Sequence, residues 1–117
     1  LYSLLCSKSD IKTDNKILFI EDLDEYLYHV DRMIISLKRA GKFNNIKAMI
    51  VGSMTKMHDN KIKFGMNAKE IIKYHTKEFN FPVCFNFPAG HQKNNRPVIL
   101  GKVSKLDINS NLVCLSQ

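Results

Sequence analysis

No stretch of this 117-residue chain approaches the roughly 20 consecutive apolar residues that span a bilayer. Its longest apolar blocks, such as "AMIV" and "ILFI", have the length of strands, so no membrane segment is expected. The chain also lacks any CxxC pair or cluster of cysteine with histidine, which argues against a zinc site. Its three cysteines, Cys6, Cys84 and Cys114, are odd in number and far apart, a pattern that fits a reducing compartment. Cys84 and Cys114 fall in apolar, strand-like runs, where a thiol is expected to act as a small hydrophobe. Arginine is scarce, with three against fifteen lysines, and the net charge of +7 is carried by lysines scattered singly along the chain. Nucleic-acid surfaces favour clustered cations interleaved with exposed aromatics, so a solvated lysine surface is the plainer reading and no nucleic-acid partner is expected. The opening "LYSLLCSKSD" has no Met, no basic n-region and no cleavage pattern. No signal peptide is read there, and an apolar start of this kind suggests a piece cut from a longer protein.

What is present suits one folded domain. Apolar content of 44% and charged content of 25% are ordinary for a globular chain, and there is no repeat, linker or low-complexity segment. "NKILFIED" (15–22) is a short apolar run bounded by charge, which predicts a strand buried on both faces. The period then changes. Leu27, Val30, Met33, Ile34 and Leu37 recur at three and four residues, the stripe of an amphipathic helix. Asp24 is its expected N-cap, Lys38 and Arg39 suit its negative end, and Gly41 suits the left-handed position beyond it. "IKAMIVGSM" (46–54) predicts a second buried strand, joined to the first by a parallel crossover. A polar loop (54–65) leads to a second helix at about 68–79, with Ala68, Ile71, Ile72, His75 and Phe79 on one side. The strand "PVCFNF" follows, then the short runs "PVILG", "KVSKLDI" and "LVCLS", with a hairpin turn at "DINSNL". The expected fold is α/β: a small mixed sheet of swivelling β/β/α type with two main helices, parallel at its start and antiparallel at its C-terminal end.

Two polar residues stand out by position. Glu21 closes the first strand, and His91 follows Gly90 at the end of the later strand, in "FPVCFNFPAGHQKNNRP". Carboxyl ends of strands are where α/β sheets meet ligands. A carboxylate and an imidazole on neighbouring strand ends can form the back half of a nucleophile–base–orienter triad. The same pattern also describes a solvated loop carboxylate and an ordinary turn, and no nucleophile accompanies it. Ser53 lacks the G-x-S-x-G elbow, and Cys84 has no neighbouring cation to lower its pKa. His29, His58 and His75 have no metal-site spacing and read as structural or solvated residues.

These residues lie within a resemblance that covers nearly the whole chain. "KILFIED" resembles the strand carrying the catalytic glutamate in the LD-carboxypeptidase family of serine peptidases, which includes microcin-immunity relatives. "LYHVDRMIISLKRAGKFNNIKAMIVGSM" resembles the helix and strand that follow it, and "FPVCFNFPAGHQKNNRPVILG" resembles the segment with the catalytic histidine. Members have two domains, and this chain (1–117) is similar to the C-terminal one alone, "LYSLL" resembling the segment that leads into it. The resemblance implies that Glu21 orients the base, that His91 is the general base, and that the serine nucleophile lies in an N-terminal domain absent from this chain, which would be inactive by itself.

It further implies release of the terminal D-alanine from murein tetrapeptide during cytoplasmic peptidoglycan recycling, with no metal or organic cofactor. The partners implied are the serine domain and the peptide, and members are often dimers. Arg32 and Arg96 could meet an anionic peptide or make surface ion pairs, and neither is assigned a role. A non-catalytic peptide- or partner-binding module of the same fold is the alternative expectation.

Overall fold

The computed structural model describes residues 1–109 and 112–117. β1 (Ile17–Leu23), α1 (Leu27–Arg39), β2 (Ala48–Thr55), α2 (Ala68–Thr76) and β3 (Val83–Cys84) alternate along the chain, and the strands form a parallel sheet in the order β1-β2-β3. β4 (Lys105–Ile108) and β5 (Val113–Ser116) pair antiparallel as a sheet of their own. The expected architecture is therefore found: two helices, a parallel crossover first and an antiparallel end. Residues 110 and 111, within the predicted hairpin turn, lie outside the described residues.

α1 buries Val30, Ile34 and Leu37, carries Lys38 and Arg39 in its last turn, and is followed by Gly41 at φ +72°, as its sequence predicts. Its start differs. The cap is Tyr26, with no side-chain bond, because Asp24 is engaged elsewhere. Asp24 sits at φ +63°, its N–H donates to the Thr55 carbonyl, and its carboxylate meets His58 Nε2 at 2.6 Å. α2 begins at a reciprocal capping box, in which the Asn67 side chain accepts from the Glu70 N–H and the Glu70 carboxylate accepts from the Asn67 N–H. It ends at Thr76, before Phe79, which instead stacks on Phe81 and meets Phe43 edge-on.

The helices cover one face of the sheet. Leu18, Met49 and Val51 pack there against Val30, Ile34, Leu37, Ile71 and Ile72, and each such side chain, once buried, contributes about 1.5–3 kcal/mol. β2 is central and buried over its first six residues. β1 is expected from its sequence to be buried on both faces, but only its Leu18 is buried. The reason is topological: β1 is an edge strand, and its other face, through Ile17 and Phe19, opens on a cleft of about 530 Å³ shared with Leu106, Ile108 and Leu115 of the hairpin. Cys84 is buried as expected, whereas Cys114 is exposed, because β5 belongs to a two-stranded sheet and turns that residue outward.

Candidate active site

Side chains alternate across a strand, so Glu21 follows Ile17 and Phe19 on the face of β1 turned away from the helices. The ladder slips at this point. Ile20 pairs with Val51 but Asp22 pairs with Met54, leaving Gly52 and Ser53 opposite Glu21 alone. Such bulges bend a strand and re-aim the side chains around them. On the other side of β2 the regular pairing of β3 ends at Cys84. Pro88 lacks an N–H group to continue it, and Asn86 takes φ +57°. The chain nevertheless stays beside β2, through Phe87 N–H to the Val51 carbonyl and Ser53 N–H to the Ala89 carbonyl, both at 3.0 Å.

Two glycines allow this close approach. A Cβ on Gly52 would lie 2.3 Å from the Ala89 carbonyl oxygen, and a Cβ on Gly90 would lie 2.4 Å from Ser53 Oγ and 2.8 Å from Glu21 Oε2. Gly90 also adopts φ +113°, a conformation open to glycine and costly to other residues. The chain turns there and sets His91 beside Glu21. His91 Nδ1 and Glu21 Oε2, 70 residues apart in sequence, are separated by 2.9 Å. The imidazole is 58% exposed and the carboxylate 25%, so the pair sits on an open surface at the carboxyl ends of the strands.

Contact with a carboxylate does not by itself distinguish His91. His29 meets Glu25, four residues earlier, at 2.7 Å, His58 meets Asp24 at 2.6 Å, and the buried His75 meets Asp31 at 2.7 Å. His58 and His75 spend Nε2 on these contacts. His29 and Glu25 lie only four residues apart, a contact local to the start of α1. His91 alone is held through Nδ1 by a carboxylate borne on a strand, so Nε2 is not spent on that contact. Among the described residues no group of histidine, cysteine and acidic side chains could hold a metal ion. Ser53 is buried, in keeping with a small residue at a strand end. Burial raises the Cys84 thiol above its ordinary pKa, the opposite of an activated nucleophile. Arg32 lies over the Tyr28 ring, and Arg96 is exposed, with its backbone N–H bonded to the Pro88 carbonyl.

Residues 1–106 match the family model for the LD-carboxypeptidase C-terminal domain. The chain belongs to the LD-carboxypeptidase family. A Rickettsia conorii protein named as a carboxypeptidase is 33% identical over 82% of this chain and 28% of its own length. A Bacillus subtilis protein named as a murein peptide carboxypeptidase is 29% identical over 86% of this chain and 32% of its own. The chain thus spans about a third or less of the curated relatives it matches. Among solved structures, a muramoyltetrapeptide carboxypeptidase from Oxalobacter formigenes superposes with a TM-score of 0.85 at 22% identity, covering 97% of this chain and 40% of that one. The microcin C7 self-immunity protein MccF superposes with a TM-score of 0.62 at 23% identity, over 73% of this chain and 25% of that one. At these identities the two structures establish a shared fold.

Sequence reading singled out Glu21 and His91, which the fold brings together. It missed the residues that make the approach, Gly52 and the slip beside it. Their signal was the glycine in each of "VGS" and "AGH", two small residues at two strand ends.

Proposed function

We propose that this LD-carboxypeptidase domain supplies the base and its orienting carboxylate to a serine nucleophile carried by a domain outside residues 1–117. In this reading the complete protein removes the terminal D-alanine from murein tetrapeptide in the cytoplasm. The observation that carries the proposal is the Nδ1–Oε2 contact of 2.9 Å at the strand ends, with Nε2 left free to take a proton. A carboxylate on Nδ1–H fixes the tautomer whose Nε2 is basic, and it stabilises the imidazolium formed when that nitrogen is protonated.

The chemistry then follows in balanced steps. The serine oxygen adds to the amide carbonyl while its proton passes to His91 Nε2. The tetrahedral intermediate collapses, the C–N bond breaks, and the same proton leaves with the amine of D-alanine. Water, deprotonated by His91, releases the acyl group and regenerates the serine. Backbone amides beside the serine would hold the oxyanion. The relatives' printed names, a murein peptide carboxypeptidase and a muramoyltetrapeptide carboxypeptidase, support the substrate class.

The test uses the complete protein that carries this domain, with D-alanine release from murein tetrapeptide as the assay. Glu21→Gln is expected to lower kcat by about 10³–10⁴-fold through the wrong tautomer, and His91→Gln to abolish turnover. Undiminished turnover in both variants would remove the proposal and favour a binding role for this domain.

A further inference from the structure

The regular ladder that joins β3 to β2 ends well before His91, and the main-chain groups on either side of the imidazole find side-chain partners instead. The His91 carbonyl accepts from Thr55 Oγ1 at 3.1 Å, and Thr55 is the last residue of β2. Its hydroxyl therefore supplies one more rung after the backbone rungs at Val51 and Ser53. The Gly90 N–H donates to Asn95 Oδ1 at 3.0 Å, closing the loop from the opposite side. Thr55 is tied to β1 as well, since its carbonyl accepts from the Asp24 N–H at 3.0 Å and it stands opposite Leu23 in the sheet. One residue thus connects, through its carbonyl and its hydroxyl, the end of the strand that bears Glu21 with the loop that bears His91. No backbone bond between those two segments could do so, because β2 runs between them.

We propose that Thr55 and Asn95 are positioning residues for His91. By holding the Ala89–Gly90 and His91–Gln92 peptide groups, one on each side of the Gly90–His91 link, they hold Nδ1 within reach of Glu21 and so select the Nδ1–H tautomer that leaves Nε2 free. This inference rests on the reading of His91 as the base, and it adds the means by which an imidazole more than half exposed keeps one orientation. An exposed ring held only by its carboxylate would move with its loop as well as rotate, about χ1 between staggered positions and about a broad χ2. Fixing its backbone on both sides removes the main-chain part of that freedom.

The experiment is imidazole ¹⁵N NMR on the 117-residue chain near neutral pH, which reads the His91 tautomer directly. Wild type is expected to show Nδ1–H. Thr55→Val keeps the shape and removes the donor. It should leave the melting midpoint within about 5 °C of wild type, the scale of a single exposed hydrogen bond, while His91 shifts to a mixture with Nε2–H. Thr55→Ser should restore the wild-type tautomer. In the complete protein, Thr55→Val should lower kcat by about tenfold or more with little change in KM, since displacements near 1 Å cost up to about 100-fold.

Retention of pure Nδ1–H in Thr55→Val would overturn the positioning role and leave the catalytic reading intact. Nε2–H in wild type would instead remove the catalytic reading, and this inference with it. Should Thr55→Val fail to fold, Asn95→Leu asks the same question from an exposed loop, and an unchanged His91 tautomer there would again count against the clamp.

Discussion

Replacing Gly52 with alanine adds one methyl group at the point where the loop that bears His91 lies closest to β2. The new Cβ would sit 2.3 Å from the Ala89 carbonyl oxygen, 3.0 Å from Phe19 Cζ and 3.2 Å from Glu21 Cβ. The Phe19 ring can turn aside, but the carbonyl is backbone. Ordinary contact begins at 3.4 Å, so Ala89 must retreat by about 1 Å, an over-packing shift that costs about 1–3 kcal/mol. The retreat also stretches the bond from Ser53 N–H to Ala89, worth about 1 kcal/mol more. A total of about 2–4 kcal/mol corresponds to a fall in melting midpoint of about 8–16 °C for a domain of this size.

The displaced residue lies two positions before His91, so the base moves with it, and a misplacement near 1 Å lowers turnover by about 100-fold. Gly65→Ala is the control. It has a positive φ of +88° but nothing within 4 Å of its Cβ, so it should cost only about 1–2 kcal/mol of backbone strain and leave the His91 resonances unmoved. Calorimetry and the His91–Glu21 proton contacts measure both effects. If Gly52→Ala melts within about 1 kcal/mol of wild type with His91 in place, the close approach of loop and strand that builds the site is wrong.

Three further outcomes follow from the same structure. Asn67→Ala removes the capping box of α2 and should lower stability by about 1 kcal/mol, read as a shift in urea midpoint at constant m. Asp10 is held below its ordinary pKa of 3.8 chiefly by its hydrogen bond with Lys42, and Glu25 below 4.5 chiefly by the Tyr26 backbone N–H. In both cases the unfolded chain binds protons more readily, so their stabilisation is complete above the unfolded values and is lost as pH falls through the folded ones. Removing either carboxylate (Asp10→Asn, Glu25→Gln) should therefore flatten the acid limb of the stability profile below about pH 5 and leave the slope near pH 7 unchanged. Alkylation by iodoacetamide under native conditions should modify Cys6 and Cys114, which are exposed, and spare Cys84, which is buried with its thiol pKa raised, and mass spectrometry of peptides reads the sites.

The elements most legible in the sequence were those in which one signal dominated. The stripe from Val30 to Leu37 fixes α1 whatever its neighbours do, because a helical period has one buried face. The errors lie where tertiary partners outbid local preference. Asp24 has the chemistry of an N-cap, yet the bonds to Thr55 and His58 draw it away and move the helix start to Leu27. β1 has the composition of a central strand, but sheet order is a long-range property that composition does not carry, and the strand lies at the edge. Cys114 and the β4–β5 pair show the same limit: alternation predicts a hairpin, not what its faces meet.

The candidate site shows why proximity alone would have been a poor guide. All four histidines contact a carboxylate, so a search for acid–imidazole pairs returns every histidine in the chain. Separation of cases needs the nitrogen used, the element that bears the acid, and the provision made for the approach. His75 is buried and cannot meet a substrate; His29 and Glu25 are four residues apart and need no long-range fold to meet. The pair Asp24 and His58 is the nearest rival, lying at the same strand ends and bordering Thr55, but it consumes Nε2. Only at Glu21 and His91 do a ladder slip, two glycines without room for a Cβ and a main-chain clamp converge on one contact. Gly90 in particular leaves no room for a Cβ, which would meet Ser53 Oγ and Glu21 Oε2, a constraint that an ordinary turn followed by a solvated histidine would not impose.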